Sequence, residues 1–367
     1  MSDAREAGAR RARTRRLRAA LLRWYDANRR DLPWRRTRDP YAIWISETML
    51  QQTRVETVIP YYERFLARFP TVKDLATADE DDVFAHWAGL GYYSRARNLQ
   101  RAAREVAFAH GGAFPRTAEA LRALPGIGPY TAGALASIAF DAPEAIVDGN
   151  VVRVLARLDG VRDDTARKPV MDALWERAGE LARGERPGDL NQALMELGAL
   201  VCTPRSPRCL VCPVAKTCDA RAHGDADALP VKTRRTTQTP IEAVCAWAPR
   251  RGRVLVTKRP AAGLMAGMWE LAGGDLAPGE APADGLHRAL RERTGLAVAR
   301  VRLLGEVSHT FSHRVLRLHV FAADAPRGRV RLDGPQAHRW ATPAELDALA
   351  IGAATRKAIA LARATAD

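Results

Sequence analysis

A short stretch rich in glycine and proline decides the fold of the N-terminal half: Leu124-Pro125-Gly126-Ile127-Gly128-Pro129-Tyr130-Thr131-Ala132. Helical patterns flank it, with Thr117 as a good N-cap for residues 118–124 and an apolar segment at 130–140. Two glycines in a tight turn expose backbone N–H groups at a helix N-terminus, which suits a phosphate contact that does not read base sequence. A plain turn between helices is the alternative. A dinucleotide-binding motif is not indicated, because neither a preceding strand nor a following ribose-binding acid is visible.

Helical periodicity dominates up to about residue 200 and predicts an all-α N-terminal half. The other predicted helical segments are 17–25, 41–69 (at least two helices, punctuated by Pro60), 79–88, 95–110, 150–158, 169–182 and 191–200. The polar stretch 225–240 lacks periodicity and is predicted to be a linker. Beyond it, strands at 241–247, 253–258, 301–307 and 315–322 and a helix at 283–293 predict an α+β region.

The size and charge of the chain favour several domains and a polyanionic partner. A chain of 367 residues exceeds one ordinary core. The net charge is +15, and residues 231–367 alone carry 22 Lys+Arg against 12 Asp+Glu. Residues 1–18 hold seven Arg and are predicted to be a disordered basic arm. Nucleic acid suits this distribution, although a solvated Arg-rich surface is the alternative. No apolar run is long enough for a membrane span, and the basic N-terminus lacks the apolar segment of a signal peptide.

A carboxyl group lies inside the apolar helical stretch Trp44–Thr53. Glu47 is surrounded in sequence by Trp44, Ile45, Met49 and Leu50. Burial raises the pKa of a carboxyl because its charged form loses hydration, and an acid kept protonated can donate a proton near neutral pH. A solvated Glu at the edge of a helix is the alternative.

Asp148 lies in the opposite setting, directly before the predicted helix 150–158. Asp is a favoured N-cap residue, and the helix dipole and N–H donors are expected to keep it ionised. Two carboxyls in such different environments suit cleavage of a glycosidic bond. The protonated one assists the leaving group, and the ionised one stabilises an oxocarbenium-like cation.

Aromatic and cationic residues alternate in Leu90–Asn98, and all seven tyrosines precede residue 131. Aromatic rings such as Tyr92 and Tyr93, beside Gly91, can stack on or wedge between bases while Arg pairs with phosphate. Tyrosines that belong to a core at a helix start are the alternative.

Four of the five cysteines form a cluster with the spacing Cys202-x6-Cys209-x2-Cys212-x5-Cys218. Four thiols within 17 residues, in a chain without a secretory signal, predict a metal site rather than a disulfide framework. Tetrahedral sulfur suits zinc or an iron–sulfur cluster, and the chemistry alone does not choose between them.

These residues together resemble the MutY family of adenine DNA glycosylases, within the helix-hairpin-helix superfamily. The resemblance covers nearly the whole chain after residue 18. It is carried by Asp31–Arg35, Trp44–Thr53, Gly91–Tyr93, the stretch Leu124–Ala132, Asp148–Asn150, Asn191–Gly198 and the four clustered cysteines.

The resemblance implies roles for individual residues. Glu47 matches the acid that protonates the adenine ring at N7, and Asp148 matches the carboxylate that stabilises the sugar cation. Tyr130 matches a catalytic hydroxyl and stands where lyase-competent relatives carry a Schiff-base lysine. Because a phenol cannot form an imine, we predict a monofunctional glycosylase acting on an adenine flipped out of the duplex. The cysteine spacing matches a [4Fe-4S] site with ligands Cys202, Cys209, Cys212 and Cys218.

The resemblance also implies a DNA-contacting set, within which Gln52 and Tyr92 match residues that intercalate around the oxidised guanine. The set is Trp34, Arg35, Gln52, Thr53, Leu90, Gly91, Tyr92, Gly126 and Gly128.

The C-terminal region resembles the Nudix-like domain of the same family. When Gly274-x5-Glu280-x7-Arg288 is aligned with the Nudix pattern, Ala289 and Arg293 stand where metal-binding glutamates belong, and only Glu292 remains. A divalent metal needs several carboxylates, so pyrophosphatase activity is not expected. The segment Ser308–His313 resembles the recognition loop for 8-oxoguanine, with Phe311, Ser312 and His313 in the matching places; a polar loop ending a strand is the alternative.

The predicted architecture is multidomain: an all-α helix-hairpin-helix glycosylase with an iron–sulfur cluster loop, followed by an α+β Nudix-like domain. The expected boundaries are a basic arm at 1–18, a glycosylase domain at 19–224, a linker at 225–240 and an 8-oxoguanine recognition domain at 241–367. Within the glycosylase domain, a six-helix barrel is expected at about 43–147 and a cluster module at 19–42 plus 148–224.

The predicted function is removal of adenine mispaired with 8-oxoguanine or guanine, by hydrolysis of the N-glycosidic bond in base-excision repair. The alternatives are a thymine-mismatch glycosylase, a non-catalytic lesion-binding protein and a nucleotide pyrophosphatase. The expected partner is double-stranded DNA with those mispairs. We expect a monomer in a bacterial-type cytoplasm, associated with the nucleoid and not with a membrane.

Overall fold

The computed structural model describes residues 2–233, 238–311 and 314–365. Contacts between Cα atoms divide the chain into two compact units. The first contains Met1–Thr77 and Arg101–Arg234, and the second contains Ala78–Gln100 and Arg235–Asp367. No helix in the described ranges has the length and apolar character to cross a bilayer.

Helices make up the regular structure of the described residues before Thr239, apart from short 3-10 turns such as Pro33–Arg35. In chain order the helices are α1 (Ser2–Asn28), α2 (Pro40–Leu50), α3 (Val55–Arg68), α4 (Val72–Thr77), α5 (Glu80–Trp87), α6 (Ser94–Phe108), α7 (Ala118–Ala123), α8 (Pro129–Phe140), α9 (Gly149–Asp159), α10 (Lys168–Ala182), α11 (Pro187–Leu200) and α12 (Asp219–His223).

The apolar faces of α1, α9, α10 and α11 meet in one core of the first unit. Leu21, Leu155 and Leu194 have no exposed surface there. Each such leucine contributes roughly 2 kcal/mol of burial free energy. The same core borders the cysteine loop, because Cys202, Cys212 and Cys218 pack against it.

The turn between α7 and α8 has the predicted helix–turn–helix form. The hydroxyl of Thr117 accepts a hydrogen bond from Ala120 N and caps α7. Gly126 has φ +75°, a left-handed conformation that suits glycine. Pro129 occupies the first turn of α8, where its missing N–H is tolerated.

Two predictions about the N-terminal segments are wrong. The predicted arm is not disordered over residues 2–18, since α1 runs through them and Leu17 is buried. Arg10 and Arg13 pair with Glu180 and Asp159, so side chains from the predicted arm are fixed to the core helices. Pro60 does not punctuate the segment 41–69: it lies inside α3. The chain breaks instead between Leu50 and Val55, where Gln52 has φ +59°.

The predicted linker is packed along its first half. The side chains of Arg157 and Thr165 donate hydrogen bonds to the carbonyls of Leu229 and Val231, and Leu229 is buried. The prediction of a linker over 225–240 is therefore wrong for its first part, because these backbone groups are bound to the helical unit. Residues 234–237 lie outside the described ranges.

In the described part of the second unit there are two four-stranded sheets and three further helices. The elements are β1 (Thr239–Trp247), β2 (Pro249–Arg250), β3 (Arg253–Lys258), β4 (Trp269–Leu271), β5 (Gly273–Asp275), α13 (Pro282–Thr294), β6 (Val301–Thr310), β7 (Arg314–Ala323), β8 (Ala337–Ala341), α14 (Pro343–Ala348) and α15 (Ala353–Thr365).

One sheet has the order β5-β1-β7-β6, with β1 and β7 parallel and the other pairs antiparallel. In the other sheet β3 pairs with β2, β4 and β8, all antiparallel. Leu286, Ala289 and Leu290 of α13 pack against the inner face of β1. The α+β prediction for this region is confirmed, and the sequence patterns missed the short strands β2, β4, β5 and β8 and the helices α14 and α15.

Candidate active site

A cleft of about 750 Å³ opens in the helical unit, within the usual size range of ligand sites. It brings together residues that are far apart in sequence. Nine of the twelve predicted catalytic and DNA-contacting residues line it: Trp34, Arg35, Glu47, Gln52, Thr53, Gly126, Gly128, Tyr130 and Asp148.

Glu47 lies at the buried base of the cleft. It is 5 % exposed because α2 is buried on nearly every side, from Tyr41 to Met49. Burial raises the pKa of Glu47 to about 7; a hydrogen bond from Tyr130 opposes this rise, and the nearby charge of Asp148 adds to it. The alternative of a solvated glutamate is excluded, since the side chain is removed from water.

Tyr130, in the first turn of α8, contacts Glu47 directly. Its hydroxyl lies 2.7 Å from Oε2 of Glu47 and 3.3 Å from the sulfur of Met195. Burial, together with the negative charge of Glu47, raises the pKa of the Tyr130 hydroxyl well above its usual value. The phenol therefore keeps its proton and acts as a donor.

Asp148 caps α9, as predicted. Its Oδ1 accepts a 2.7 Å hydrogen bond from Val151 N, and its Oδ2 accepts a 2.9 Å hydrogen bond from Asn150 Nδ2. Arg153 in turn donates to Asn150 Oδ1 at 2.9 Å and to the carbonyl of Cys202 at 2.7 Å. The carboxylate is thus held in a fixed orientation at the positive end of a helix.

A buried carboxylate that the sequence patterns did not single out supports the wall of the cleft. Glu196 of α11 has a side chain only 1 % exposed and accepts paired hydrogen bonds from Arg30 and Arg35 at 2.7–2.9 Å. Burial raises the pKa of Glu196, but these hydrogen bonds outweigh burial and lower the pKa to about 2. The guanidinium of Arg35 is thus bound to Glu196. The ring of Trp34 packs edge-on against Tyr62.

The rim of the cleft is formed by turns. Gln52 is exposed and left-handed at φ +59°, and Gln51 Nε2 lies 3.3 Å from the hydroxyl of Thr131. A Cβ added at Gly128 would meet no atom within 4 Å. The backbone there is open to a neighbouring group, which suits the predicted phosphate contact.

Leu90, Gly91 and Tyr92 do not line this cleft; they belong to the second unit. Leu90 is buried, whereas Tyr92 is 45 % exposed. Gly91 and Tyr92 are both left-handed, at φ +71° and +49°. The turn therefore presents the ring of Tyr92 at the surface.

The four clustered cysteines share one space. Burial raises the pKa of Cys212 to about 11. A backbone hydrogen bond opposes this rise, and the neighbouring Cys202, Cys218 and Cys209 add to it. Arg157 Nη1 lies 3.4 Å from the sulfur of Cys202. Across the described residues, no three His, Cys, Asp or Glu side chains are placed to hold a metal ion.

A separate cavity of about 270 Å³ lies in the second unit, and Phe311, Glu270 and Arg293 are among its lining residues. Arg293 donates to the carbonyl of Gly273 at 2.6 Å and pairs with Glu270 at 3.4 Å, and Ala289 is buried in the core. A guanidinium thus occupies the expected glutamate position. Ser312 and His313 lie outside the described residues.

Family comparisons agree with this architecture. A family described as "HhH-GPD superfamily base excision DNA repair protein" matches residues 45–180, and a "NUDIX domain" family matches residues 243–361. A solved structure described as a thermostable thymine-DNA glycosylase is 33 % identical, with a TM-score of 0.54, and covers 59 % of this chain and 99 % of that one. These findings confirm the predicted fold class.

Curated relatives extend the similarity to both units. An adenine DNA glycosylase of Mus musculus is 40 % identical and covers 93 % of this chain and 76 % of the relative. The corresponding values are 39 %, 93 % and 72 % for the enzyme of Homo sapiens, and 33 %, 84 % and 82 % for that of Schizosaccharomyces pombe. The resemblance inferred from the sequence motifs is confirmed, and the chain belongs to the adenine DNA glycosylase family.

Proposed function

We propose that the protein removes adenine mispaired with 8-oxoguanine or guanine from double-stranded DNA, by hydrolysis of the N-glycosidic bond. The observation that carries the proposal is the buried Glu47, with its pKa raised to about 7 by burial, in one cleft with Tyr130 and Asp148. Membership of the adenine DNA glycosylase family and the base-excision repair superfamily supports it.

Glu47 is the proton donor in this proposal. Near pH 7 a large fraction of its carboxyl is protonated, and its proposed target is N7 of the adenine ring. Protonation of the base neutralises the charge that develops on the leaving group as the bond to the sugar breaks. The flipped base reaches the carboxyl through the cleft.

Asp148 stabilises the sugar. As the glycosidic bond breaks, positive charge develops on the ring oxygen and the anomeric carbon. A carboxylate whose two oxygens are fixed by Val151 N and Asn150 does not need to reorient to face that charge, so it stabilises the transition state by preorganisation.

The reaction is proposed to stop at base removal. A lyase step requires an amine that forms an imine with the opened sugar, and Tyr130 offers a phenol instead. The described residues that line the cleft include no lysine. Free adenine and an intact strand carrying an abasic site are the expected products.

The four clustered cysteines are proposed to hold a [4Fe-4S] cluster. The donor set fits: Cys202, Cys212 and Cys218 pack against one core, Cys202, Cys209 and Cys218 all raise the pKa of Cys212, and four thiolates would be the ligands of such a cluster. When bound, the cluster supplies a covalent cross-link of the loop 202–218. Arg157 already ties this loop to α9, through the carbonyls of Thr203 and Pro204.

Candidate DNA contacts are proposed within each of the two units. Gln52 and Tyr92 are the candidate intercalating residues, the Gly126–Gly128 turn is the candidate phosphate contact, and Phe311 belongs to the candidate loop for 8-oxoguanine. We propose that a monomer performs the reaction. We also propose a cytoplasmic, nucleoid-associated location, where reduced thiols persist.

Base release from defined duplexes tests the proposal. The protein is incubated with A:8-oxoguanine, A:G and T:G duplexes, and the released bases are separated by chromatography with and without later alkali. We expect free adenine from the first two duplexes and strand breaks only after alkali. Free thymine without adenine would assign the thymine-mismatch alternative, and tight binding without base release would assign a non-catalytic lesion-binding protein. Turnover of 8-oxo-dGTP with Mg²⁺ tests the pyrophosphatase, and we expect none.

A further inference from the structure

Residues 78–100 come from the N-terminal half of the sequence but belong to the same compact unit as the two sheets. They contain α5 and the turn Leu90–Tyr92. The contacts that hold this segment on the sheets therefore determine where Tyr92 is presented.

The first attachment is an ion pair between α5 and β3. Lys258 Nζ lies 2.6 Å from Asp81 Oδ1, and Trp269 Nε1 lies 3.4 Å from Asp81 Oδ2. Lys258 and Trp269 face each other across β3 and β4. The side chain of Lys258 is only 16 % exposed, so water screens this pair less than it screens a surface ion pair.

The second attachment comes from α6. Arg97 donates a 2.5 Å hydrogen bond from Nη2 to the carbonyl of Ala266, and its Nε lies 3.3 Å from Glu80 Oε1. The next residue, Gly267, has φ +70°, and a Cβ there would lie 2.7 Å from Arg97 Nη2. The loop before β4 thus lies against the guanidinium of Arg97, and its left-handed backbone at Gly267 suits glycine.

Contacts within residues 78–100 connect these two attachments to the turn Leu90–Tyr92. Phe84 packs edge-on against Tyr93 at 5.8 Å, and Trp87 Nε1 donates to the carbonyl of Gly91 at 3.1 Å. Arg95 Nη2 donates to the carbonyls of Leu90 and Gly91, at 3.0 and 3.1 Å. A left-handed tyrosine costs of order 1 kcal/mol and persists only where surrounding contacts hold it.

The same sheet segment also borders the region of the predicted lesion loop. Trp269 and Met265 line the 270 Å³ cavity, whose lining also includes Phe311 and Arg314. The ring of Phe311 is itself packed at 4.7 Å against His309 of β6. The turn with Tyr92 and the loop with Phe311 are therefore attached to one folded body.

We infer that Asp81, Lys258 and Arg97 are positioning residues that fix the Leu90–Tyr92 turn to the sheets carrying Phe311, so that the two groups read the base opposite adenine as one rigid element. This inference rests on the proposed function and extends it, because it assigns the preference for 8-oxoguanine over guanine to contacts remote from Glu47. Two probes that are already ordered relative to each other lose less entropy on engaging one base than two independent probes.

Substitution of Lys258 and Arg97 tests the inference in the full-length protein. The readout is the ratio of kcat/KM on A:8-oxoguanine to kcat/KM on A:G. Lys258→Met keeps the aliphatic stem and removes the charge, and Arg97→Met does the same on α6. We expect each to lower the ratio about threefold to tenfold, which lies within the effects that mutations along such contact networks have on coupling, with the A:G value unchanged. Lys258→Arg should keep the ratio.

The matched control is Arg253→Met, which removes a cation from the same strand at an exposed pair with Glu345. An unchanged ratio in both methionine variants, or an equal loss on both substrates, would overturn the inference. Hydrogen exchange separates it from the proposed function: backbone amides of residues 87–93 should exchange faster in Lys258→Met and not in Arg253→Met. Should the wild type release no adenine, the proposed function fails, and the exchange rates still decide whether Lys258 holds the turn.

Discussion

The hydroxyl of Tyr130 lies 2.7 Å from Oε2 of Glu47. Glu47 belongs to α2, a helix that is buried on nearly every side. Because the phenol keeps its proton, Oε2 is the acceptor of this hydrogen bond. The acidic proton of neutral Glu47 is then carried by Oε1. This hydrogen bond thus orients the carboxyl of Glu47 and opposes part of the rise in its pKa that burial causes.

Replacement of the acid should abolish chemistry and spare binding. Glu47→Gln preserves the shape of the side chain and its ability to accept from Tyr130, but it cannot donate an acidic proton. We expect the single-turnover rate of adenine release to fall by at least about 10²-fold to 10⁴-fold, with the affinity for an A:8-oxoguanine duplex retained. Rapid-quench kinetics and gel-shift titration measure the two quantities. Full activity of this variant would refute the assignment.

The rate should depend on pH through Glu47. The raised pKa of about 7 means that the carboxyl is protonated below this pH and ionised above it. Since the donor form is the protonated one, single-turnover rates should fall as the pH rises through about 7, approaching tenfold per pH unit beyond it. Rates measured from pH 5.5 to 9 at saturating enzyme check this, and a flat profile over pH 6–8.5 contradicts it.

Tyr130→Phe should move this profile. The hydrogen bond from Tyr130 lowers the pKa of Glu47, so its loss should raise that pKa and shift the alkaline limb to higher pH. The maximal rate should fall roughly tenfold, because the carboxyl loses its orienting partner. A lower rate with an unshifted limb would mean that the phenol acts on the substrate instead. The same rate-versus-pH series is the measurement.

Asp148→Asn should separate catalysis from folding. Asparagine is as good an N-cap as aspartate, so the midpoint of thermal unfolding should stay close to that of the wild type. The amide cannot stabilise a cation, and we expect the rate of adenine release to fall about 10²-fold to 10³-fold. A large drop in the unfolding midpoint would show that the residue acts mainly on α9.

Glu196 should contribute to stability rather than to chemistry. Glu196→Gln leaves the guanidiniums of Arg30 and Arg35 without their counter-charge, at a cost of about 3 kcal/mol in the free energy of unfolding at pH 7. Because the folded pKa is lowered to about 2, this stabilisation is present above the unfolded value and is lost as pH falls toward 2. Urea unfolding at pH 7 and pH 3 should therefore show a smaller difference at the lower pH.

The control for this substitution is Asp31→Asn at the exposed pair with Arg36. Removal of a solvent-exposed pair should change the unfolding free energy by less than about 1 kcal/mol. Equal effects of the two substitutions would contradict the structural role given to Glu196.

Local patterns in the sequence were sufficient to predict most of the helices and strands. The cap at Thr117, the glycine turn before α8, the N-cap at Asp148 and the cysteine spacing depend on neighbours within a few residues, so they are readable from the chain alone. The misplaced break at Pro60 shows the limit of this reasoning. The helix continues through the exposed proline because Val58, Tyr62 and Phe65 are buried on its other face.

Only the tertiary structure decided the electrostatics and the partners of the site. Whether Glu47 is solvated or acidic depends on which helices cover α2, and Glu196 meets Arg30 and Arg35 across more than 160 residues. The sequence of the basic residues 10–18 is equally compatible with a free arm until their partners on α9 and α10 are known. Composition and periodicity determine which segments can form helices and strands, but burial and charge pairing are set by the segments that meet, and these contacts fix the pKa values on which the chemistry depends.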